Sequence, residues 1–188
     1  MSDAHNEVKS ILEEANKKMD KSIEAFKKEL NTIRSNRANP AMLDGIMVEY
    51  YGTELPINQL ATITVPEPRI LLIQPYDKNS LTAIEKAIQK SNLNINPQND
   101  GSVIRLILPE MTQERRMELV KLVKQKLEEA KVAIRNVRRE ANDDIKKLTG
   151  ISKDEQKHYQ DEVQKLTDKH IKILEDLAQK KEESILHV

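Results

Sequence analysis

Apolar residues recur at every third or fourth position in three stretches of this chain, and each stretch reads as one long amphipathic helix. The first runs from about Val8 to Ile33, with Val8, Leu12, Ala15, Met19, Ile23, Phe26, Leu30 and Ile33 on one stripe. Its other positions are mostly Glu, Lys and Asn, so the helix has one face to bury and needs partners. The second opens after Pro109, with Thr112 as N-cap, and carries Leu119, Val123, Leu127, Ala130, Ile134, Val137, Ala141, Ile145 and Leu148. At about 36 residues and about 1.5 Å per residue it spans about 54 Å, too long for one globular core of this size. It stops at Gly150, a residue suited to the left-handed turn that ends helices. Ser152 and Glu155 then have capping-box spacing and start a third helix, with Tyr159, Val163, Leu166, His170, Ile173 and Leu177 as its stripe. The link from Thr149 to Ser152 is so short that the second and third helices are antiparallel neighbours, and the first closes the bundle.

Between the first two helices the pattern changes. All seven prolines and three of the four glycines lie from Pro40 to Pro109, which excludes long helices there. Short β-rich runs take their place: IMVEYY before Gly52, then ATITV, RILLIQ and VIRLIL. One helix interrupts them, LTAIEKAIQKS, capped by Asn79 or Ser80, with Leu81, Ile84, Ala87 and Ile88 as its apolar face. The expected architecture is α+β in two domains. An elongated antiparallel three-helix bundle (residues 1–37 and 110–188) carries a small inserted β/α/β domain (38–109), with a hinge at Ala38, Asn39, Pro40, Pro109 and Glu110.

Composition agrees with an elongated molecule, because 33% charged and 38% hydrophobic residues are a polar mix for one compact globule. Net charge is zero, so indiscriminate coating of nucleic acid is not expected and any RNA contact must be local. The absence of cysteine excludes disulfides and thiolate chemistry. No apolar run approaches the roughly 20 residues that cross a bilayer, and the N-terminus lacks a leader pattern, so a cytoplasmic location and no membrane partner are expected.

One local concentration of charge does exist. On the second long helix Lys124, Lys131, Arg135, Arg138, Arg139 and Lys146 gather along one flank of the stripe with Asn142 among them. Such a run can be a solvated face held by i,i+4 ion pairs. Three arginines at i, i+3 and i+4 with few carboxylates beside them also present planar forks suited to phosphate oxygens.

Catalytic patterns are not found. Glu155-x-x-His158 has the spacing of a di-iron ligand pair but lacks the second pair that such a site needs, so no metal is expected. His170 sits on an apolar stripe and reads as a packed bundle residue. No phosphate loop or nucleophile elbow occurs, and an enzyme is not expected. Of the adjacent Tyr50 and Tyr51, one must face away from the core. A coiled-coil adaptor that docks protein helices is the competing class; its complexes would survive ribonuclease, whereas RNA-borne ones would not.

Several motifs in one order resemble the ribosome recycling factor family over essentially the whole chain. They are Ile33-Arg34-x-x-Arg37-Ala38-x-Pro40, Leu43-Asp44-Gly45-Ile46, Val48-Glu49-Tyr50-Tyr51-Gly52, Leu93-x-x-Asn96-Pro97, Glu114-Arg115-Arg116, Asn136-Val137-Arg138-Arg139-x-Ala141-Asn142 and Val163-Gln164-Lys165-Leu166-Thr167-Asp168. The resemblance implies a hinged, L-shaped monomer that binds the large ribosomal subunit after termination and contacts 23S ribosomal RNA through the arginine-bearing helix. With elongation factor G it would then separate the subunits for re-initiation. GTP would be used by that partner, with no cofactor and no bond change in this chain. Arg135, Arg138 and Arg139 inherit the RNA-contact role, with Lys131 and Lys146 on the same helix and Arg34 and Arg37 before the first crossing. Family members often carry glycine where this chain has Asn36.

Overall fold

The computed structural model describes residues 3–187; Met1, Ser2 and Val188, which the expected domain limits include, lie outside the described residues. Three long helices form one unit: α1 (Asp3–Thr32), α4 (Gln113–Lys146) and α5 (Lys153–Leu186). The inserted unit holds β1 (Met47–Tyr50), β2 (Thr53–Pro56), α2 (Ile57–Leu60), β3 (Ala61–Glu67), β4 (Ile70–Pro75), α3 (Leu81–Lys90), β5 (Gln98–Asn99) and β6 (Ile104–Ile107). Long helices beside a small antiparallel sheet domain are the expected α+β class. The units divide at Arg34/Ser35 and Gln113/Glu114, a few residues closer to the helices than the prolines suggest.

In the bundle, the first stripe packs as read: Val8, Ala15, Met19, Ile23, Phe26, Leu30 and Ile33 are buried, and Leu12 is half-buried. Each large apolar side chain so buried contributes roughly 1.5–3 kcal/mol. The capping box forms reciprocally: Glu155 N donates to Ser152 Oγ (3.1 Å) and Ser152 N donates to Glu155 Oε1 (3.2 Å). Gly150, at φ +86°, supplies the left-handed residue between α4 and α5. Cross-links set the direction of each helix. His5 meets Glu155 and His170 meets Asp20, both across 150 residues, so α1 and α5 run parallel in a constant register. Lys18–Glu140 and Lys126–Glu29 run the opposite way and make α4 antiparallel to α1.

The α5 stripe differs from the expected one. Its centre is Val163, Thr167, His170, Leu174, Ala178 and Ile185, while Tyr159, Leu166, Ile173 and Leu177 are half-buried at its edge. Thr167 escapes an apolar count, yet its hydroxyl donates to Val163 O (2.8 Å), which satisfies it inside the bundle.

The inserted unit is a four-stranded antiparallel sheet, β3-β4-β6-β5, and a separate β1–β2 hairpin. Alternation puts Leu71, Ile73, Ile104 and Leu106 into the core against Leu81, Ile84 and Ile88 of α3. Pro66 is tolerated because β3 is an edge strand with a register shift between Thr64 and Glu67. The hairpin turns on Tyr51 (φ +48°) and Gly52 (φ +79°), both left-handed as a tight two-residue turn requires. Tyr51 is the outward tyrosine, 77% exposed, whereas the Tyr50 hydroxyl donates to Asp77 Oδ2 (2.7 Å). Ser80 stands at the expected N-cap position of α3 but makes no side-chain cap bond there, and Asp77 caps the turn before it. Its Oδ1 accepts from Asn79 N through a short 3-10 turn, Lys78–Ser80, that the sequence pattern does not reveal.

Asp100 organises the turn before β6. Its Oδ1 accepts from Val103 N (2.9 Å) and Ser102 N (3.0 Å), and its Oδ2 accepts from Arg105 Nη1 (2.9 Å). These bonds, the one from Val103 N foremost, hold its pKa down at about 2 from the ordinary 3.8. Because the folded value is the lower one, this stabilisation is complete above about pH 4 and is lost as pH falls towards about 2. The Asp100 carboxyl carbon should therefore titrate near pH 2 in a carbon-13 NMR series, and titration near 3.8 would show that the turn network does not form.

Candidate nucleic-acid interface

The basic ribbon lies on α4, a helix of 34 residues free of glycine and proline. Its roll is fixed by the apolar side. Ile145 and Ala141 are buried against Ala15 of α1 and Val163 of α5, with Val137 and Leu166 at the edge. Positions beside that stripe therefore face the groove next to α5 or the solvent.

The cations of the ribbon divide by what they already hold. Arg135 is half-buried and Arg139 and Lys146 are exposed, and none makes a hydrogen bond or ion pair among the described residues. Arg138 is half-buried; its Nη1 donates to Gln164 Oε1 (3.2 Å), and Gln164 Nε2 in turn donates to Asp168 Oδ1 (2.9 Å). Arg138 Nε and Asn142 Oδ1 are buried without a hydrogen-bond partner among the described residues. One edge of the guanidinium is thus steadied from α5, which orders the side chain before any ligand arrives. Gln164 is a positioning residue that charge patterning alone does not single out.

Lys131 is held differently from the arginines. Its side chain is only 16% exposed, and its ammonium lies 3.6 Å from Glu128 and 4.0 Å from Glu175 of α5. Its charge is already countered, so this placement is that of a bundle cross-link. Arg34 and Arg37 are exposed and make no ion pair among the described residues, which leaves both forks open.

The other flank of α4 has the opposite sign. A groove of about 340 Å³ between α1 and α4 is lined by Glu14, Glu140 and Asp144, with Lys18 as its cation. Lys18 donates to Glu140 (2.9 Å), and that bond raises its pKa above the ordinary lysine value. A polyanion is attracted to one side of α4 and repelled from the other.

The expected hinge residues are built into the inserted unit. Ala38 is buried and its N–H donates to Pro68 O (2.7 Å); Leu108 N donates to Arg69 O (2.8 Å), so both crossings bond to the turn between β3 and β4. Asn39 Oδ1 accepts from Ala41 N (2.9 Å) and caps a 3-10 turn that begins at Pro40. Asn36, at φ +57°, donates from Nδ2 to Pro109 O (3.0 Å) and staples one crossing to the other. The left-handed backbone explains why glycine suits this position, and asparagine is among the few other residues that tolerate it. Ala38, Asn39 and Pro109 thus take part in hydrogen bonds within the inserted unit, and Glu110 is exposed.

Glu155 is occupied by its capping bonds and by His5 Nε2 (2.8 Å). Among the described residues no group of three or more His, Cys, Asp or Glu could hold a metal ion, and no helix is long and apolar enough to cross a membrane.

Comparison with known proteins gives a consistent result. The family described as ribosome recycling factor matches residues 26–186. The ribosome-recycling factor of Carboxydothermus hydrogenoformans is 60% identical over 184 residues, which cover 96% of this chain and 100% of that protein. That of Geobacillus thermodenitrificans is 54% identical over 183 residues, 96% of this chain and 99% of that protein. A solution structure of a ribosome recycling factor matches with a TM-score of 0.72 at 48% identity, covering 97% of this chain and 98% of that one. Models for the T. thermophilus ribosome recycling factor and the E. coli elongation factor G bound to the E. coli post-termination complex match with a TM-score of 0.62 at 47% identity, covering 95% and 98%.

Proposed function

This chain belongs to the ribosome recycling factor family, and on that premise we propose that it binds the post-termination ribosome and, with elongation factor G, separates the subunits for re-initiation. The observation that carries the RNA-contacting part is the α4 flank. Arg135 and Arg139 have no protein counter-ion among the described residues, Arg138 is pre-positioned by Gln164, and the acidic groove lies on the other side. Guanidinium forks of this kind suit phosphate oxygens of ribosomal RNA in the large subunit.

The chain changes no covalent bond; GTP is used by the partner, and the chain works in the cytoplasm without a cofactor of its own. Its contribution is binding energy directed at one state of the ribosome. The relative that is placed on the post-termination complex beside elongation factor G supports this reading. Light scattering by purified post-termination complexes should fall when this chain, elongation factor G and GTP are added together, and should stay unchanged when any one of the three is omitted. Splitting by elongation factor G and GTP alone, at the same rate, would remove the need for this chain and overturn the proposal.

A further inference from the structure

A second set of cations, away from the arginine ribbon, lies where α1 and α5 pack side by side. A groove of about 340 Å³ is lined there by Lys27, Asn31, Lys180, Lys181 and Ser184 over an apolar floor, and no carboxylate is among its lining residues. From Gln164, beside the ribbon, to Lys181 the helix rises about 25 Å, so the groove is a separate place on the bundle.

The lysines here differ in counter-charge from Lys131 and Lys18. Lys131, though more covered, has Glu128 and Glu175, and Lys18 has Glu140. Among the described residues Lys27 pairs only with Glu24 on its own helix at 3.2 Å, an exposed i,i+3 pair of little strength. Lys180 and Lys181 make no hydrogen bond or ion pair among the described residues. Lys181 is half-buried, and loss of water around its ammonium pushes its pKa below the ordinary lysine value. A partly desolvated cation without a counter-ion is a standing cost to the fold, and an incoming anion relieves it.

We propose that this groove is a phosphate-binding site for the phosphodiester backbone of RNA, with Lys27, Lys180 and Lys181 as the cations and the Asn31 amide as a neutral donor. The proposal rests on the reading of the chain as an RNA-contacting ribosomal factor, and it adds a contact remote from the arginine ribbon. Three ammonium groups around one groove suit a strand of repeating charge, because lysine meets phosphate as a point charge without the fixed geometry that a guanidinium requires.

The test compares wild type with Lys180→Met/Lys181→Met in co-sedimentation with purified large ribosomal subunits across a salt series. Methionine keeps much of the aliphatic stem and removes the charge. Binding should weaken at least about tenfold near physiological salt, and the log–log salt slope should fall by roughly 1.4–1.8 for two lost phosphate contacts. Tm should stay equal or rise, because a desolvated charge has gone. Lys181→Arg keeps the charge and should bind like wild type, which guards against a variant that merely misfolds. If wild type binds and the double variant binds with the same affinity and slope, the groove is not a phosphate site and the inference is overturned, while the arginine reading stands. Wild type that does not bind at all would instead sink the RNA reading itself. The side-chain NMR signals of Lys181 in wild type give the second readout. They should move on addition of a short mixed-sequence RNA; movement with inorganic phosphate as well assigns phosphate chemistry generally, and no movement with either overturns the proposal.

Discussion

Arg135→Ala/Arg138→Ala should lose at least about a hundredfold in affinity for purified large ribosomal subunits while keeping its helix content. Each charge-assisted hydrogen bond contributes about 1.5–3 kcal/mol, so two together account for about 3–6 kcal/mol, and every 1.4 kcal/mol is tenfold. The salt dependence should weaken with the affinity, its log–log slope falling by roughly 0.7–0.9 per lost phosphate contact. The two residues are not equivalent. Arg135 has no protein partner among the described residues, so its removal costs the fold little. Arg138 gives up its bond to Gln164, and a small fall in Tm is expected from that variant alone. Gln164→Ala offers a subtler check: it leaves both charges in place and frees the Arg138 fork, so affinity should drop by a smaller factor with the salt slope unchanged. Co-sedimentation across a salt series measures all of this. If circular dichroism shows the double variant unfolded, the arginines are structural; if it is folded and binds like wild type, the ribbon is not the interface.

His170→Ala should destabilise the bundle by about 2–4 kcal/mol, roughly 10 °C in Tm. The ring is 1% exposed, with Nδ1 2.7 Å from Leu166 O and Nε2 2.8 Å from Asp20 Oδ1. Each ring nitrogen faces an oxygen, and the Nε2 contact with Asp20 ties α5 to α1. Removing the ring deletes buried volume and this link between the helices. Asp20→Asn keeps an oxygen acceptor at the same place and should cost less than about 1 kcal/mol, because the Asp20 side chain is 60% exposed. His170→Phe separates the two contributions, since it keeps an aromatic ring and loses the bonds. Thermal unfolding followed by circular dichroism decides among them. Equal stability of His170→Ala and wild type would mean that the ring neither fills space nor bridges the helices.

Which parts of this could be read before the fold was seen depends on how local the cause is. Helical periodicity is a property of neighbouring residues, so the α1 stripe, the α4 stripe and the Ser152–Glu155 box stood in the sequence, and the concentration of proline and glycine marked the insert, whereas α4 stops at Lys146, short of the expected end at Gly150. The arginine ribbon was legible for the same reason. What only the tertiary structure decided is what each helix meets. The constant register of α1 and α5 buries His170 and Thr167 and turns the α5 stripe away from Tyr159 and Leu177. That packing commits Lys131 to Glu175, steadies Arg138 with Gln164 and leaves Lys181 half-buried with no carboxylate. It also ties Ala38 and Leu108 to one turn and Asn36 to Pro109. Composition along a chain fixes which residues are charged or apolar, but a side chain's counter-charge and its access to water come from residues up to 150 positions away, and only folding brings those together.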